Sequence, residues 1–312
     1  MNTSALDYFG RDYSFPNQVC GLPTKLSEVE GLEIGQFHTS DGVKLSYWTA
    51  GEGIPLVFLP GWSAGGADYI NIIHLLSRSF KVYVLDQRNH GLSDKVEFGN
   101  RISRFAADLN DFLMSQCISS AHLCGWSMGC AVIWGYLDDF GSDRIRKLIF
   151  IDEAPSIYSH SDWTEEQRVQ AGAFSTSAER MIAMYYGETP ASRLIVDTDL
   201  FDFYNSDGAP AFENSHGFME AMVPQDRVAL RRVLFDHILN DWRDVIQHKI
   251  DRPTLVVSGE HSDWVQSQRW IAKVVPDGRA IIYGRDEHGD HFLHLKNPIR
   301  FAGEVTEFLE SK

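Results

Sequence analysis

Short apolar runs alternating with amphipathic stretches set the pattern of the first half of the chain. Residues 54–59 read Ile-Pro-Leu-Val-Phe-Leu, 80–85 read Phe-Lys-Val-Tyr-Val-Leu and 121–124 read Ala-His-Leu-Cys. Each run is mainly apolar and closed by Pro, Asp or Gly, as strands buried on both faces of a parallel sheet are. Upstream, 32–38 and 43–49 predict a hairpin turned at Asp41-Gly42. Between the runs the period becomes helical. In 102–117, Ile102, Phe105, Ala106, Leu109, Phe112 and Leu113 fall on one stripe.

Residues 147–151 add another buried strand, and then the alternation stops for about a hundred residues. From 153 to 249 the pattern is mostly helical. Thr164-Glu165-Glu166-Gln167 is a capping-box start, and 228–242 carries a stripe of Leu230, Val233, Leu234 and Ile238. Strand patterns return at 254–258 and 280–283, with helices at 264–275 and 298–309. Alternating strands and helices imply a mostly parallel central sheet covered on both faces. The expected architecture is an arm (1–30), an α/β core (31–152 and 250–312) and a helical insertion (153–249), too long for a plain loop.

Composition narrows the class. The 312 residues are 44% hydrophobic and 23% charged, enough to bury a large core without metal or disulfide staples. A formal net charge of −15 disfavours nucleic acid and anionic membrane surfaces as partners. The residues at the start of the sequence do not read as a signal peptide, and no apolar stretch approaches the ~18 residues of a membrane span. Cys20, Cys117, Cys124 and Cys130 have neither metal-ligand spacing nor a disulfide framework. A reduced, cytoplasmic setting with no cofactor is the expectation.

The chemistry-bearing motif is Gly125-Trp126-Ser127-Met128-Gly129. It follows a strand and opens a helix, the setting in which a sharp turn exposes a Ser hydroxyl and glycines relieve crowding. Roughly one chain in six of this length holds such a pentapeptide by chance, and this one holds a second, Gly61-Trp62-Ser63-Ala64-Gly65. Ser127 is preferred because it runs straight into a helix through Gly129, Cys130 and Ala131. The second match leads into a loose Gly65-Gly66 loop.

In chain order come Pro60-Gly61-Trp62, Asp86-Gln87-Arg88-Asn89-His90-Gly91-Leu92-Ser93, Gly125 to Gly129, and His291-Phe292-Leu293-His294-Leu295-Lys296-Asn297-Pro298. This series resembles the α/β-hydrolase superfamily, in its esterase, haloperoxidase and C–C hydrolase branch. The resemblance implies Ser127 as nucleophile and His291, rather than His288 or His294, as base. It implies an oxyanion hole from the backbone N–H groups of Trp62 and Met128, each donor worth about 3 kcal/mol. For the acid, Asp263 after strand 254–258 is set slightly ahead of Asp152 after strand 147–151, although the usual family position falls on Ser262. Two residues depart from the pattern: Asn89, where the family often has Gly but where Asn tolerates a left-handed backbone, and Asp290, where a Gly often precedes the His.

The implied reaction is hydrolysis of a carboxylic ester or lactone through an acyl-enzyme. Haloperoxidase-like perhydrolysis uses the same groups, and a small-molecule receptor on the same fold is the alternative from another class. Cofactor-free quinolone dioxygenases carry a His where this chain has Ala64, and haloalkane dehalogenation needs an Asp in place of Ser127. The insertion is rich in bulky apolar residues, among them Trp163, Phe174, Met181, Met184, Tyr185, Tyr186, Phe201, Phe203, Tyr204, Phe218, Met219 and Met222. That content predicts a lid with its own core and an apolar or aromatic substrate.

Overall fold

The computed structural model describes residues 2–173 and 208–311. Strand by strand, the period-two pattern sorts side chains onto two sides of one sheet. In Pro55–Leu59, Leu56 and Phe58 enter one core while Val57 and Leu59 enter the other. Both faces are therefore dry, which is why the sequence shows continuous apolar runs here rather than polar alternation.

Among the described residues the sheet has nine strands: β1 (Thr3–Ser4), β2 (Glu33–His38), β3 (Lys44–Ala50), β4 (Pro55–Leu59), β5 (Lys81–Asp86), β6 (Ala121–Trp126), β7 (Ile145–Ile151), β8 (Thr254–Gly259) and β9 (Arg279–Tyr283). Their order is β1-β2-β3-β5-β4-β6-β7-β8-β9. The first three pairings are antiparallel, and from β5 to β9 every neighbour is parallel. Helices Ile70–Leu76 and Pro298–Glu310 cover one face, and Ile102–Ser115, Met128–Phe140 and Val265–Val274 the other. The order reverses at β4, which lies between β5 and β6. The loops at the carboxyl ends beside such a switch point are where open α/β sheets bind ligands.

Two elements differ from the sequence expectation. Helix Ile70–Leu76 was not legible: five of its seven residues are buried, so it has no polar stripe to reveal a helical period. The arm also does more than lie on the domain. Its β1 adds to the sheet beside β2, and the sequence signal for a two-residue strand is nil.

The described helices of the insertion are Glu165–Ala171, Pro210–Met222, Arg227–Leu239 and Arg243–His248. The expected capping box at Thr164 and Gln167 is formed. Asp226 caps the third helix through the N–H groups of Val228 and Ala229. Phe218 sits not in a core belonging to the insertion but in the main core, ringed by Phe9, Tyr13, Phe15 and Trp48 at centroid distances of 5.8, 5.1, 5.8 and 6.1 Å. Asn214 completes the clamp by accepting from Asn17 N–H at 2.8 Å and donating to Asn17 O at 2.7 Å. Phe174, Met181, Met184, Tyr185, Tyr186, Phe201, Phe203 and Tyr204 lie outside the described residues.

Removing the Phe218 ring leaves four aromatic partners facing a void. Phe218→Ala is expected to lower unfolding free energy by about 3–5 kcal/mol, measured by urea denaturation. A loss below about 1 kcal/mol, typical of a surface change, would mean the arm and this helix do not share a working core.

Candidate active site

Ser127 stands between the last residue of β6 and the first of helix Met128–Phe140, with φ 52° and ψ −130°. A non-glycine residue keeps so strained a backbone only where its surroundings hold it. Here the Ser127 N–H donates to Ile151 O at 3.0 Å and its carbonyl accepts from Cys130 N–H at 2.7 Å. The flanking glycines are required by close approach. A Cβ at Gly129 would collide with the Leu59 carbonyl, and one at Gly125 would lie 2.7 Å from Cys130 N. The side chain is thereby presented above the sheet, at the positive end of a 13-residue helix.

His291 follows β9 on the loop that leads into helix Leu293–Lys296. Its Nδ1 lies 2.8 Å from Asp152 Oδ2, and Ser258 Oγ donates to Asp152 Oδ1 at 2.6 Å. Asp152 is fully buried directly after β7, with φ 44° and its N–H on Val257 O. The carboxylate at hydrogen-bond distance from His291 Nδ1 is Asp152, the alternative acid of the sequence analysis. The loop after β8 carries the other candidate. The position of the usual acid is Ser262, whose hydroxyl accepts from Trp264 N–H at 3.1 Å, while Asp263 is exposed in the turn. The imidazole is walled by Trp126 and Trp264 at 5.2 and 5.3 Å, and Trp126 Nε1 donates to His291 O at 2.8 Å.

The other two histidines of the segment are placed differently. His294 is buried, with Nε2 3.2 Å from the Tyr69 hydroxyl, and burial holds it well below the usual imidazole range. His288 adopts a left-handed conformation after the turn Arg285–Glu287. Asp290, the departure from the family glycine, is itself buried. It accepts from Lys296 Nζ at 2.5 Å and from Phe292 N–H at 2.8 Å, so it fixes the His loop by an ion pair and an Asx-type turn. Asn89 takes the left-handed conformation expected of it (φ 68°), and its side chain holds the 96–100 loop through Val96 N–H and Asn100.

Trp62 follows β4, and Met128 opens the helix after Ser127. Neither amide donates to another described backbone group. The Trp62 indole donates to Leu230 O at 2.8 Å, tying this loop to the insertion. A cavity of about 430 Å³ collects Trp62, Ser63, Trp126, Ser127 and His291 together with Phe212, His216 and Met219 from the insertion. The last three are spaced i, i+4 and i+7 on helix Pro210–Met222 and form its cavity face, while Asn214 and Phe218 face the arm. Ser258, Asp68, His216 and Lys296 were not singled out by sequence reasoning. Lys296 had a signal, since it lies within the His291 to Pro298 motif. Ser258 had none beyond its place at a strand end.

The described residues include no helix long and apolar enough to cross a membrane. The family model described as alpha/beta hydrolase fold matches residues 54–298. The chain is 26% identical over 277 residues to a non-heme chloroperoxidase of Kitasatospora aureofaciens, covering 87% of this chain and 98% of that protein. It is 24% identical over 276 residues to a 2-(acetamidomethylene)succinate hydrolase of Mesorhizobium japonicum, covering 86% and 92%. Among solved structures, an esterase from Exiguobacterium antarcticum superposes with a TM-score of 0.73 at 18% identity, over 88% of this chain and 99% of that one.

Proposed function

Because this chain belongs to the α/β-hydrolase family, we propose that it is a serine hydrolase that cleaves a carboxylic ester or lactone of a largely apolar small molecule. The observation that carries this reading is the Asp152–His291 hydrogen bond, held at 2.8 Å beside the cavity that also contains Ser127. In the reaction, Ser127 Oγ attacks the carbonyl carbon and its proton passes to His291 Nε2. The tetrahedral oxyanion accepts from the Trp62 and Met128 amides. Collapse breaks the acyl C–O bond, and the leaving alkoxide takes the proton from Nε2. Water then adds to the acyl-enzyme through the same base, releasing the acid and restoring the Ser127 hydroxyl.

Asp152 is the positioning carboxylate: its contact with Nδ1 leaves Nε2 as the proton acceptor. Residues 153–249 act as a cap over Ser127. Supporting this, Phe212 and Met219 line the cavity and Leu230 holds Trp62. The chloroperoxidase relative favours a second use of the same intermediate, in which hydrogen peroxide replaces water and a peracid leaves.

A fluorophosphonate probe is expected to label the protein once, at Ser127, and p-nitrophenyl esters to be turned over. Protein that is folded, unlabelled and inert to the ester series would instead support a binding protein on a hydrolase fold.

A further inference from the structure

One corner of the cavity is polar and takes no part in the acyl transfer. Asp68, 4% exposed, lies on the loop between β4 and helix Ile70–Leu76, and its Oδ2 accepts from Gly65 N–H at 3.0 Å. Its Oδ1 faces His216 Nδ1 at 3.9 Å. His216 comes from the insertion, stacks on Phe212 with ring centroids 5.4 Å apart and planes 9° apart, and has Glu220 at 3.5 Å from its other ring nitrogen. Both Asp68 and His216 line the same cavity as Ser127 and His291.

The separation is informative. At 3.9 Å, Asp68 and His216 attract each other but are too far apart for a hydrogen bond. Both line the cavity, and two atoms 3.9 Å apart can share one oxygen atom about 2.8 Å from each, the usual hydrogen-bond distance. It would donate to the carboxylate and accept from the imidazole. A hydroxyl has both capacities in one atom.

Charge points the same way. The carboxylates on either side raise the His216 imidazole, so it is the natural counter-ion of Asp68. Lys296, the other cation of the wall, is neutralised by Asp290. With Asp68 and Glu220 both on His216, a substrate carboxylate would enter this corner against negative charge, at a cost that a neutral hydroxyl avoids.

We propose that Asp68 and His216 form a specificity site for a hydroxyl group of the substrate, set apart from the scissile carbonyl. This rests on the ester-hydrolase reading of Ser127 and adds to it the class of substrate: a neutral, mostly apolar ester or lactone bearing a hydroxyl.

The test uses methyl 3-phenylpropanoate, its 2-, 3- and 4-hydroxyphenyl counterparts, and the 4-carboxy and 4-aminomethyl analogues. Hydrolysis is followed by pH-stat with the parent enzyme, His216→Phe and Asp68→Asn, the last of which keeps an acceptor for Gly65 N–H. One hydroxyl isomer is expected to exceed the unsubstituted ester in kcat/KM by at least about tenfold, because a site built to hydrogen-bond a hydroxyl rejects the analogue without it. That ratio is expected to fall to within about twofold of unity in His216→Phe, with Asp68→Asn moving it the same way. The same esters titrated calorimetrically into Ser127→Ala read the preference as a ratio of Kd values without turnover. Binding preference without hydrolysis by the parent enzyme would keep the hydroxyl site and overturn the hydrolase reading. No isomer preferred in either measurement, a preference unchanged in both variants, or a preference for the charged analogues would overturn the hydroxyl site.

Discussion

Ser127→Ala is expected to lower kcat for a p-nitrophenyl ester by roughly 10⁵–10⁶-fold, since removal of a nucleophile collapses the whole acyl-transfer machinery. Ser63→Ala is expected to stay within about tenfold of the parent, because it leaves that machinery intact. The contrast is demanding because the two serines are alike in several respects. Both occupy the centre of a G-x-S-x-G pentapeptide, both have positive φ (52° and 64°), and both line the 430 Å³ cavity. What separates them is how each is held. Ser127 is fastened on both sides of its peptide, by Ile151 O and Cys130 N–H, and opens a 13-residue helix. Ser63 lies in a loop that reaches helix Ile70–Leu76 only after further turns. Gly65 and Gly66 there meet Asp86 and Trp48 rather than a following helix. Residual turnover in folded Ser127→Ala comparable to that of Ser63→Ala would move the nucleophile elsewhere. Pre-steady-state release of p-nitrophenol separates loss of acylation from slow deacylation.

The alternation of apolar runs made the parallel half of the sheet legible, because strands dry on both faces must be apolar throughout. Helix Met128–Phe140 begins directly after Ser127, where the motif placed a helix start. Illegible were the pieces whose reason lies in distant contacts. β1 exists because Thr3 and Ser4 find the edge of β2, and helix Ile70–Leu76 is apolar on nearly every side because the core surrounds it. The site divided in the same way. The local geometry of Ser127 is written in its neighbours, but which carboxylate reaches His291 depends on where β7 and β8 end relative to the β9 loop, and no spacing along the chain encodes that. The polar corner was hidden for the same reason: Asp68 and His216 are 148 positions apart. They meet where helix Pro210–Met222 is seated, by Phe218 and Asn214 on the arm, by Ala211 O on Asn71 and by Phe212 on Phe292.

Asp152→Asn is expected to cost about 10³–10⁴-fold in kcat, and Asp263→Asn less than about threefold, the former by the same route through which a triad acid sets the imidazole tautomer. Ser258 decides the outcome at Asp152. Its hydroxyl donates to Oδ1 at 2.6 Å, so an asparagine amide keeps its carbonyl oxygen there and turns its NH₂ toward His291. That NH₂ donates to Nδ1, which must then be the unprotonated nitrogen. The proton moves to Nε2, and the imidazole can no longer accept from the Ser127 hydroxyl. Binding is little changed because no cavity-lining atom is removed, so KM is expected to hold within a few-fold while kcat falls, the signature of a group acting in the transition state. Asp263 is exposed in the turn after β8, and replacing it leaves the contact between Asp152 and His291 as it was. The two variants are compared by steady-state kinetics on one p-nitrophenyl ester, with circular dichroism to establish folding. If Asp263→Asn lost the thousandfold and Asp152→Asn did not, the buried carboxylate at 2.8 Å would be structural and His291 would take its orientation from the β8 loop.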